Sequence, residues 1–157
     1  MEFNRDVDIS VSTNDHKLFL KTLNSLDVIQ HTIPDDETIC SPTDVIYSLI
    51  TRHPLWINDV INSDLVLWYK IKDNEPKYHI LAFAINVIKM CDINATKIML
   101  EKMNKLNIQC NDRVVHRLAR YQPKLINNTN FNYATFSGLI YGAHWKLARK
   151  YFKLKQD

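Results

Sequence analysis

Glycine is nearly missing from this chain, with two residues, Gly138 and Gly142, in 157. Loop-rich β-barrels and nucleotide-binding folds need glycine at positive φ and in phosphate loops, so its scarcity argues against both and suits a helical protein. Cysteine is sparse as well. Cys40, Cys91 and Cys110 are odd in number and widely spaced, with no C-x-x-C pair and no secretory leader ahead of them, which predicts reduced thiols. No run of about 18 apolar residues occurs, so no membrane partner is expected, and an intracellular place, cytoplasmic or nuclear, is. The six histidines, His16, His31, His53, His79, His116 and His144, stand singly, without the paired spacing of a zinc site. No nucleophile elbow or glycine-rich loop surrounds a serine, cysteine or histidine. Catalytic residues, metal ligands and cofactors are therefore all assigned as none, and the chain is expected to act by binding and not as an enzyme. Asp35, Asp36 and Glu37 precede a helix start, where carboxylates favour the helix dipole and solvate a turn.

What remains is ordinary globular material, 46% apolar and 24% charged, in a length that fits one domain, 1–157. Its abundant Asn, Ile and Lys match A/T-rich codons, as in a viral or other A/T-rich genome. Val7 to Ser12 alternates apolar and polar residues, which predicts a short extended N-terminal arm over 1–14. The regular elements after it read as helices, the first a short one over "HKLFLKTLNSLDVI", with an acidic turn ahead of Ser41 and a loop at "KLINNTNFN". Ser41, Pro42 and Asp44 form a capping-box start, with Val45, Ile46, Leu49 and Ile50 as the buried stripe up to Pro54. Trp56, Val60 and Ile61 face inward on the next helix, and residues 77–91 form the most apolar one. Asp92 or Asn94 caps the segment carrying Ile98, Met99, Met103 and Leu106. Asn111 or Asp112 caps the next, which Pro123 stops.

The blocks pair as 43–53 with 55–62, 77–91 with 93–108, 112–121 with a short piece before Asn127, and 133–143 with 145–154. The predicted fold class is all-α, a single domain of packed antiparallel helical hairpins of the degenerate α-solenoid or ankyrin-like kind. Two arrangements of 132–155 are open. In one, a continuous helix makes Ala134, Gly138 and Gly142 a close-approach seam. In the other, which is favoured, the chain turns near Ala143 and His144, and a basic helix begins at Trp145.

"AHWKLARKYF" resembles an ankyrin unit across its inter-helix turn, through the spacing of His144, Leu147, Ala148 and Phe152, with Ala143 where that pattern has its turn glycine. "DINATKIMLEKMNKLNIQCN" is similar to a pentatricopeptide unit, including Met103 and Ile108. "DDETICSPTDVIYSLITRHPLWINDVI" resembles the first helix of poxviral Bcl-2-like host-modulating proteins. These resemblances imply helical-hairpin repeats that bind other macromolecules, and the last implies a viral protein acting on a host factor.

The net charge of +3 conceals a polarity: residues 1–79 carry 7 basic and 13 acidic side chains, residues 80–157 carry 13 and 4. Arg113, Arg117, Arg120 and Lys124 form one helical stripe, and Lys146, Arg149, Lys150 and Lys153 another. Together they are the candidate binding face, and an acidic protein is the expected partner. The alternatives are an RNA- or DNA-binding role for the same face, a merely solvated face, and self-association of the oppositely charged halves. Trp145, Tyr151 and Phe152 could stack on bases, but at helical spacing they are expected in the core.

Overall fold

The N-terminal residues form a helix, α1 (Glu2–Thr13), and not the extended arm that the alternation of Val7 to Ser12 predicts. Phe3, Val7, Ser10 and Val11 recur at helical spacing and are all buried, and Ser10 Oγ donates back to the Val7 carbonyl at 2.8 Å. Burial of that stripe decides the segment against its period-two pattern. The computed structural model describes residues 2–26, 40–66, 76–126 and 132–156, and among them every regular element is helical. The others are α2 (His16–Asn24), α3 (Pro42–Leu49), α4 (Ile57–Asn62), α5 (Pro76–Met90), α6 (Ile93–Lys105), α7 (Asp112–Tyr121), α8 (Tyr133–Tyr141) and α9 (Trp145–Gln156). Short 3-10 turns fill Pro54–Trp56 and Pro123–Leu125. The fold is all-α, and the helices from α3 onward fall close to the blocks read from the sequence. The acidic trio at Asp35 lies outside the described residues.

Caps explain the starts. Ser41 Oγ accepts from the Asp44 N–H at 3.1 Å while Asp44 Oδ2 accepts from the Ser41 N–H at 3.2 Å, a complete capping box. Asp92 and Asn111 accept from the N–H groups of Ala95 and Val114 at 2.8 and 2.9 Å. Each such cap stabilises its helix by about 1 kcal/mol. Three helices end through a left-handed residue: Asn14 (φ 57), Asn107 (φ 54) and Ala143 (φ 58). In each case the following N–H reaches back five residues, Asp15 to Ser10, Ile108 to Met103 and His144 to Leu139, in Schellman geometry. Neither glycine takes this role.

The chain divides into two compact units, Met1–Phe83 and Ala84–Asp157. In the first, α1 and α3 run in the same direction. The Cys40 N–H, just ahead of α3, donates to Asn4 Oδ1 at 2.8 Å, and beyond the other end of α3 His53 Nε2 donates to the Val11 carbonyl at 3.0 Å. Buried Trp56 stacks on His53 (4.0 Å between centroids) and on His16 (4.8 Å), and His16 Nε2 bonds Asp59 Oδ2 at 2.9 Å.

In the second unit α7 and α8 also run side by side in one direction. A Cβ on Gly138 would overlap the His116 carbonyl oxygen and lie 2.8 Å from Ala119 Cβ. One turn further, a Cβ on Gly142 would lie 2.5 Å from the Arg120 carbonyl oxygen. The chain turns at Gly142–His144, as favoured, and no continuous helix runs through the segment. The glycines nevertheless form a close-approach seam, because the seam needs only the stretch up to Gly142. The turn sends α9 back along α8. Ala119, Leu139, Ala148 and Tyr151 make the shared core of the three helices, with Phe136 and Leu147 packed against it.

Candidate binding surface

The division of charge follows the division of the fold: residues 1–83 hold 7 basic and 13 acidic side chains, residues 84–157 hold 13 and 4. All eight predicted cations lie in the basic unit. Arg113, Lys124, Lys146, Arg149, Lys150 and Lys153 are exposed, and Arg117 and Arg120 half-buried. Among the described residues none of the eight has a carboxylate partner.

The seam determines where they point. With small residues turned to the α7 backbone, the neighbouring row of α8, Tyr133, Ser137 and Tyr141, runs along the arginine edge of α7. Arg113 and Arg117 line a cleft of about 430 Å³ together with Tyr133 and Ser137. Arg120 instead lies over the rings of Tyr121 (5.0 Å) and Tyr141 (5.9 Å), within cation–π range. His116 packs edge-on against Tyr141 at 5.3 Å. Burial, then the charges of Arg117 and Arg120, push its proton affinity below the ordinary value.

On the other flank of α8 a second groove, about 290 Å³, is lined by Phe136, Ile140, Trp145, Ala148, Arg149 and Phe152. Here the sequence misleads. Tyr151 is in the core as expected, but Trp145 and Phe152 are 56% and 51% exposed. Ala148 and Tyr151 already fill the inner face of α9, and its next apolar row opens outward against Phe136, 6.1 Å from Phe152. The structure places the two basic stripes at separate grooves, Arg113 and Arg117 at one, Arg149 at the other. Tyr133 and Tyr141 were legible only as residues eight apart on one helix, beside the small-residue stripe.

All three thiols are held above the ordinary thiol value. Burial, with Asp8 and Asp44 for Cys40 and with Asp92 for Cys91, pushes both thiols up to about 11, and burial raises Cys110 as well. No group of three or more His, Cys, Asp or Glu that could hold a metal ion occurs among the described residues, nor a helix long and apolar enough to cross a membrane. Comparison with protein-family models, curated proteins and solved structures finds no match to this chain.

Proposed function

We propose that this chain is a non-catalytic protein–protein interaction module whose basic unit binds an acidic partner protein. The observation that carries this reading is the groove between α8 and α9. Two large aromatics, Trp145 and Phe152, stand half out of the fold there, on a helix whose other exposed side chains, among the described residues, are Lys146, Arg149, Lys150 and Lys153. Aromatic anchors and arginine are what protein interfaces concentrate, and an apolar strip rimmed by cations complements a helix or segment with an apolar row between carboxylates.

The ankyrin-like resemblance gains support from a device used in both units. A histidine after the second of two same-direction helices, His53 or His144, donates to a last-turn carbonyl of the first. An intracellular viral protein acting on a host factor is the setting proposed, on composition and the poxviral resemblance.

A nucleic-acid role is the second reading, supported by the eight cations without carboxylate partners. Two variant pairs separate the readings, Trp145→Ala with Phe152→Ala and Arg149→Glu with Lys150→Glu. Partners retained by the wild-type chain and lost by both pairs support the protein interface. If the chain instead shifts generic RNA or DNA with a steep salt dependence, and the aromatic pair leaves that unchanged, the nucleic-acid reading replaces it.

A further inference from the structure

We propose that the cleft between the first turns of α7 and α8 binds the phosphoryl group of a phosphorylated side chain. The glycine seam holds the two helices close and in the same direction, so both N-terminal ends, with their partial positive charges, open on one cleft of about 430 Å³. Asn132 Oδ1 already accepts from the Thr135 N–H at 3.0 Å, which leaves the N–H groups of Tyr133 and Ala134 without an acceptor among the described residues. Both residues line the cleft.

Arg113 and Arg117, one turn apart on α7, supply two guanidinium groups from the facing wall, and Ser137 supplies a hydroxyl. Asp112 is the one carboxylate among the described residues that line the cleft, so the arginines leave these residues a net positive charge. Among the described residues neither arginine has a carboxylate partner.

The ligand follows from how these charges are distributed. A nucleic-acid backbone offers one charge per phosphate along a track. The track is interrupted here, because Arg120, next in the stripe, is committed to the rings of Tyr121 and Tyr141. What remains is a local pair of forked donors that line one cleft with Tyr133 and Ala134. That matches a phosphomonoester, with close to two negative charges and three acceptor oxygens on one centre. The proposal rests on the protein-binding reading only for what carries the phosphoryl group.

The test is titration of the isotope-labelled full chain with inorganic phosphate, O-phosphoserine, phosphotyrosine, their unphosphorylated forms and a 5′-phosphorylated oligonucleotide. Saturable shifts at the amides of Tyr133 and Ala134 and at the His116 ring are expected with the phosphorylated amino acids and absent with the unphosphorylated ones. Arg113→Gln and Arg117→Gln should each weaken binding at least about tenfold, as the loss of a charge-assisted hydrogen bond does, with melting temperature unchanged. Asp112→Asn should tighten binding, a gain that misfolding cannot mimic.

No saturable shift at these positions, or an unchanged affinity in the double arginine variant, overturns the site. Tighter binding of the oligonucleotide than of either phosphoamino acid, at the same residues, overturns the choice of ligand in favour of nucleic acid. Trp145→Ala with Phe152→Ala should leave phosphoamino-acid binding intact, so failure of the α9 groove and failure of this cleft are told apart.

Discussion

The Nε2–H of His144 donates to the carbonyl oxygen of Arg120 at 2.8 Å, so a residue in the α8–α9 turn satisfies a last-turn carbonyl of α7 from 24 positions away. A carbonyl only accepts, which assigns the proton to Nε2. His144→Ala should cost about 1 kcal/mol in chemical denaturation, the value of one neutral hydrogen bond. His53→Ala should cost more, since His53 both donates to Val11 and stacks on Trp56 at 4.0 Å, a ring contact that adds about 0.5–1.5 kcal/mol. Equal losses would show that the Trp56 stack contributes nothing.

Ala143 and the glycines make opposite predictions within six residues. Ala143 holds φ 58, a left-handed conformation that disfavours a side chain, so Ala143→Gly should stabilise the protein by up to about 1 kcal/mol. Gly138→Ala should do the reverse, by about 1–3 kcal/mol or more, because its Cβ meets a backbone carbonyl that cannot rotate away. Thermal melts of the two variants should therefore move in opposite directions.

His116 gives a pH dependence with a definite sign. Its folded value lies below the ordinary one, chiefly through burial and then through Arg117 and Arg120. The stability this contributes is complete above the unfolded value, about 6.5, and is lost as pH falls through that value toward the folded one. Arg117→Gln should raise the His116 titration midpoint, followed by side-chain NMR, and soften the acid-side loss. An unmoved midpoint would remove Arg117 as a cause and leave the shift to burial and Arg120.

Cys40 and Cys91, both pushed up to about 11, should resist alkylation at neutral pH. Two units above the ordinary 9.0 leaves about a hundredfold less thiolate. Slow labelling that becomes fast in denaturant is the expected result, and rapid labelling of either in the native state would contradict the burial assigned to it.

Most helix boundaries were legible in the sequence because they are written in single residues with local chemistry: Ser41 with Asp44, Asp92, Asn111 and Pro123 each act within one turn. The misread elements depended on distant neighbours. Val7 to Ser12 alternates, yet Phe3, Val7 and Val11 are buried as a helical row, which no local window reveals. Trp145 and Phe152 look like core on a helical wheel, but Ala148 and Tyr151 take the inner face of α9. The cation stripes were visible as spacing. Their separation to the two flanks of α8 depends on how α8 packs against α7 and α9.

The close crossing of α7 and α8 is made by what Gly138 and Gly142 omit, since a Cβ at either would meet the α7 backbone, while Leu139 and Ala119 pack in the core beside it. Arg113, Arg117, Tyr133 and Tyr141, on the rims of that crossing, carry little of the work of keeping the helices together. Substitutions at these four positions therefore change the surface while leaving the backbone contact at Gly138 and Gly142 in place. The surface of this unit and the fit of its helices are thereby set by different residues, and only the second is intolerant of an added methyl group.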